Sequence, residues 1–90
     1  MSDDRSPEEL VLDKLVRMAN QIAVFFHSQP EQARVDGVAA HINKFWEPRM
    51  RRHLFEHLDN GGAGLEPLVT EAAARIRRPE PVEERKALGV

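Results

Sequence analysis

His53 and His57 stand four residues apart, a spacing that places both imidazoles on one face of a helix. Such a pair could share a zinc ion. The stretch has no His-Glu-x-x-His arrangement, however, and no third ligand at a telling distance, so two surface histidines are the plainer reading. His27 and His41 read as a helix-end and a polar-face histidine. Asn60-Gly61-Gly62-Ala63-Gly64 has the glycine content of a phosphate loop. It lacks the Lys-Ser/Thr pair and the preceding strand that phosphate cradles require, and reads as an interhelix turn. Ser2, Ser6 and Ser28 lie near expected helix starts, where capping accounts for them, and Thr70 is no better placed as a nucleophile. The 90 residues include no cysteine, which excludes disulfides, cysteine-ligated zinc and iron–sulfur ligation by this chain. No catalytic, cofactor-binding or metal-binding residue is assigned.

Recognition chemistry is better represented. Lys44, Arg49, Arg51 and Arg52 cluster around Phe45-Trp46, which suggests a surface for acidic partners; a solvated helix face with snorkelling stems is the plainer alternative. Nucleic acid is a further version, since cations beside an aromatic can serve phosphates and bases. The sequence pI of about 6.1 argues against it, because such affinity rests on releasing many counterions. Trp46 is either a core residue or, flanked by arginines, an interface anchor. Asn20 and Gln21 interrupt an apolar stretch, and Asn43 precedes Lys44 in a similar setting. A buried Asn20 needs hydrogen-bond partners, either a loop backbone or another protein. The candidate partner-binding set is Asn20, Lys44, Trp46, Arg49, Arg51 and Arg52.

These residues must be positioned by helices. Ser6-Pro7-Glu8-Glu9 has capping-box spacing with proline at the first helical position, and predicts a helix from Pro7 to Phe26. Val11, Leu15, Met18, Ile22 and Phe25 form one apolar row. Leu12, Val16, Ala19, Ala23 and Phe26 form a second beside it, so this helix needs cover from more than one direction. Ser28-Gln29-Pro30-Glu31 repeats the capping box and predicts a second helix ending near Phe45, with a stripe of Val35, Val38, Ala39, Ile42 and Phe45. Gly37 within it hints at close backbone packing or a short break. Pro48 sets a corner at residues 45–48 and begins a third helix to Leu58. The glycine-rich stretch stops that helix, and a fourth is expected from Glu66 or Pro67 to Arg77.

The whole is all-α, a small bundle of three to four helices. Its organisation is a flexible N-terminus (1–6), a helical domain (7–78) and a flexible charged tail (79–90). With 31% charged and 41% hydrophobic residues, the composition is that of a globular chain. A domain of this size has modest stability of its own. Residues 1–36 carry four basic and seven acidic side chains, whereas 37–78 carry seven basic and five acidic ones. No apolar run approaches the roughly 20 residues of a membrane span, and the acidic start is unlike a presequence. The expected location is the cytoplasm.

Three segments carry a resemblance: residues 14–23 (KLVRMANQIA), 41–51 (HINKFWEPRMR) and 61–69 (GGAGLEPLV). In this order they resemble the small delta subunit of the soluble, NAD-dependent, molybdenum-containing formate dehydrogenases of bacteria, over roughly Leu15 to Ala74. The resemblance implies a cytoplasmic multisubunit enzyme that oxidises formate to carbon dioxide and reduces NAD. It implies that molybdopterin guanine dinucleotide, iron–sulfur clusters, FMN and the NAD site belong to the other subunits. The delta chain would be a non-catalytic accessory subunit supporting assembly, cofactor loading or stability, docked on the large molybdenum-binding subunit. Trp46 would anchor it, with Arg49, Arg51 and Arg52 meeting acidic or cofactor-phosphate groups. The alternatives are a free-standing helical adaptor or nucleic-acid-binding regulator, and a small metal-binding protein using His53 and His57.

Overall fold

A computed structural model describes residues 5–79. Residues 1–4 and 80–90, which include nearly all of the expected charged tail, lie outside the described residues. Helix α1 runs Pro7–Phe26. The Ser6 hydroxyl accepts the Glu9 backbone N–H at 3.2 Å and donates to the Glu9 carboxylate, so serine and glutamate three apart close the first turn together. Helix α2 is Glu31–Phe45, α3 is Pro48–Asp59 and α4 is Pro67–Ala72, followed by a single 3-10 turn at Ala73–Arg75. The described residues contain helices and no strand, as the apolar periodicity requires.

Two expected boundaries are corrected. Ser28 does not cap α2. Its hydroxyl donates to Phe25 O at 3.0 Å, satisfying a carbonyl left over at the end of α1, and Pro30 takes the N-cap position instead. The fourth helix stops short of Arg77 because Ile76 is extended, at φ −85° and ψ 132°. That turn of the backbone delivers the Ile76 side chain to the core, where it is buried.

One core joins all four helices: Leu15, Ala19 and Ala23 from α1, Val38, Ala39 and Ile42 from α2, Leu54 and Phe55 from α3, and Leu68, Val69 and Ala72 from α4, with Trp46 and Ile76. Short side chains at the α1–α2 crossing let the backbones approach. A Cβ on Gly37 would stand 2.4 Å from a Phe26 ring carbon, so this glycine marks close packing within an unbroken helix. Helix α3 ends in paired bonds from Gly61 N–H to Leu58 O and from Gly62 N–H to His57 O, with Gly61 at φ 108°. That left-handed backbone suits glycine and closes the helix cleanly.

Candidate partner-binding face

The polar residues singled out by sequence divide into two groups. Asn20, on α1, donates its amide to Gly64 O at 2.8 Å and accepts the Glu66 N–H at 2.9 Å. Asn43, on α2, donates to Arg75 O at 3.0 Å and accepts the Arg77 N–H at 2.8 Å. Each carboxamide thus grips residue i and residue i+2 of a segment beside α4. One segment leads into α4 and the other leads out of the 3-10 turn. His27 bonds Glu66, and the His57 Nε2 donates to Ala63 O at 2.7 Å, so both rings brace the same entry loop.

Arg51 strengthens the exit. Only 2% exposed, it donates through Nε to Trp46 O and through Nη1 to Arg77 O at 2.6 Å. A hydrogen bond to a carbonyl from a charged donor in a buried setting is stronger than a neutral one, and it fixes the extended residues 76–78 against α3. Trp46 is 5% exposed. The expectation of one surface cluster of Trp46 with Arg49, Arg51 and Arg52 is therefore corrected: Trp46 and Arg51 face inward. The signal for Arg51 was present, since it shares a helical stripe with Leu54, Phe55 and Leu58 at spacings of three and four.

Beyond Arg51, Arg78 makes a two-pronged pair with Asp59 at 3.1 and 3.2 Å and lies 4.4 Å from the centre of the Phe55 ring. The bond from Arg78 holds the Asp59 carboxyl below its ordinary range and raises the guanidinium in turn. Arg75 pairs with Asp36, and Arg52 with Glu56 one turn along α3.

The outward group lies on the opposite side of α1. Val11 and Phe25, at the two ends of its first apolar row, are exposed, as is Phe45 at 62%. Phe45 was expected in the α2 stripe; the structure puts Trp46 there and leaves Phe45 outside, with the Lys44 ammonium 5.3 Å from its ring centre. Between α1 and the start of α3 runs a trough. At one end Met18, Ile22, Phe25, Phe45 and Met50 line a hollow of about 770 Å³. Met18 and Met50 continue into a middle stretch bordered by Lys14, Arg49 and Arg52. Val11 and His53 link this to a far end that carries Glu8 and Glu56. Methionine lining adapts to irregular partners, and an apolar strip with a cationic border has the makeup of a protein-binding surface. The signal for this face was the double apolar row of the first helix, whose outer edge no helix covers among the described residues.

The described residues include no group of three or more His, Cys, Asp or Glu able to hold a metal ion. The chain has no cysteine to ligate an iron–sulfur cluster, and the His57 ring is engaged by Ala63 O.

The family model described as NADH-dependent formate dehydrogenase delta subunit FdsD matches residues 14–73. The chain belongs to the FdsD family. The match covers about two thirds of the sequence, from Lys14 on α1 to Ala73 in the 3-10 turn. It therefore contains the Asn20 grip with both of its partners, Asn43 and Arg51 without the Arg75–Arg77 backbone they hold, and most of the trough, and it agrees with the resemblance carried by the three sequence segments. Comparisons with curated proteins and with solved structures give no match. Among the described residues, no helix of this FdsD chain is long and apolar enough to cross a membrane.

Proposed function

We propose that this FdsD chain is a non-catalytic accessory subunit, one that supports assembly, molybdenum-cofactor loading or stability of a cytoplasmic complex oxidising formate to carbon dioxide with NAD. The observation that carries the reading is the exposed apolar trough with its cationic border on a chain that belongs to this family. Its residues supply adhesion and no redox chemistry: polar groups are tied to the backbone, and the apolar excess faces outward. The molybdopterin guanine dinucleotide, iron–sulfur clusters, FMN and NAD site are assigned to the other subunits. The large molybdenum-binding subunit is the proposed principal partner. A small domain of limited intrinsic stability gains by completing its apolar face on a much larger neighbour.

The test is to express the remaining formate dehydrogenase subunits with and without this chain, then measure molybdenum content, NAD-linked formate oxidation and co-purification. The expected result is that the chain purifies with the complex and that its omission lowers molybdenum content and activity together. Equal molybdenum and activity in its absence, with no co-purification in its presence, would overturn the reading. Restoring molybdenum by adding the chain late, to an assembled complex, would point to loading rather than assembly.

A further inference from the structure

We propose that the trough between α1 and α3 seats an amphipathic helix of another formate dehydrogenase subunit, whose carboxylates meet Lys14 and Arg49. The inference rests on the accessory-subunit reading and adds to it the face that is used and the chemistry that fills it.

The shape of the occupant follows from the lining. At its wide end the trough offers methionine, isoleucine and phenylalanine side chains and, as polar groups, Gln21 and His41. A strand or irregular segment laid there would bury backbone N–H and C=O groups with few partners. A helix satisfies its own backbone and presents an apolar row at three- and four-residue spacing, which matches a slot between two helices.

The charge of the occupant follows from the middle of the trough. Lys14 and Arg49 are both exposed and border it from opposite helices, with Arg52 beside them engaged to Glu56. A chain entering between two cations gains most by carrying carboxylates at that level. The same arrangement disfavours a second copy of this chain. In a symmetric pair each trough would face its own counterpart, and Lys14 and Arg49, midway along it, would lie near the two-fold axis and meet like charge.

The test uses the full chain co-expressed with the other subunits. Val11→Glu and Phe45→Glu put charge on the apolar ends, while Lys14→Glu combined with Arg49→Glu reverses the border. Glu71→Lys, on the exposed side of α4, is the control. Each side chain is exposed, and circular dichroism of the purified variants checks that helicity is retained. The expected result is at least a tenfold loss of co-purification for the apolar variants, a several-fold loss for the double charge reversal, and none for the control. Val11→Ser and Phe45→Ser replace any glutamate variant that loses helicity. Zero-length carbodiimide coupling of the wild-type complex should join Lys14 to an aspartate or glutamate within a helix of another subunit. Wild-type co-purification that survives every trough variant would overturn this inference and leave the accessory reading standing. Coupling of Lys14 only to a second copy, or only to Glu80, Glu83 or Glu84 of the same chain, would overturn it too. Failure of the wild-type chain to co-purify would overturn both.

Discussion

Around α4, polar side chains from α1, α2 and α3 reach inward and bond to backbone; along the trough, apolar side chains from the same helices stand outward. Asn20, Asn43 and Arg51 each hold backbone on one side or the other of α4. Val11, Phe25 and Phe45 are by contrast more than half exposed. The chain thus inverts the usual allotment on both sides, in opposite senses. A polar residue amid apolar neighbours in this sequence marks an internal fastening, and an apolar residue at the edge of a stripe marks the outside.

The sharpest break of that contrast comes from adjacent aromatics. Trp46→Ala empties a packed core site and should cost about 3–5 kcal/mol, whereas Phe45→Ala, at an exposed site, should stay within about 0.5 kcal/mol. Urea unfolding of the two variants gives the comparison directly. Next come the grips. Asn20→Ala and Asn43→Ala each remove two hydrogen bonds to backbone, and each should lower stability by roughly 1–3 kcal/mol. Asn→Asp at either position keeps the acceptor and loses the donor toward Gly64 O or Arg75 O, and should recover only part of the loss. A smaller effect is expected at Gly37. Alanine there gains about 1 kcal/mol of helix propensity, but its Cβ must displace the Phe26 ring, at a cost of about 1–3 kcal/mol. Net destabilisation, relieved by combining Gly37→Ala with Phe26→Leu, should appear in thermal melts.

The smallest effect concerns the exit segment. Because Arg78 lowers the Asp59 pKa in the folded chain, the pair stabilises above the ordinary carboxylate value near 3.8 and is lost as pH falls through the depressed value. A pH series of melts should show this acid limb weakened in Asp59→Asn and in high salt, since the pair is exposed.

Much of the fold was legible. The box at Ser6, Pro48 and the glycine stop each act through neighbours in sequence, so α1 and α3 were set almost to the residue. What escaped depends on distant atoms. Ser28 had the spacing of a cap, but a carbonyl of the preceding helix claimed its hydroxyl. The end of the fourth helix was hidden because Asn43, more than thirty residues upstream, takes the Arg77 N–H out of helical register. Phe45 and Trp46 both fit the α2 stripe, at three and four residues beyond Ile42. Only the extended backbone at Trp46, with ψ 129°, decides which ring turns inward. For the candidate site, the cations were found by composition, but separating Arg51 from Arg49 and Arg52 required the face of α3 that packs.

The asparagine grips also set an order of events as the chain acquires its shape. A six-residue helix is too short to repay its own nucleation. The backbone on either side of helix α4 is held by side chains 32 to 46 residues earlier in the chain. On a ribosome, α1 to α3 emerge first with both carboxamides waiting, and the fold can close only once Arg77 has cleared the exit tunnel. Closure of the bundle is therefore a late, long-range step, and a nascent chain stalled before residue 77 would present its core still open on the side where α4 belongs.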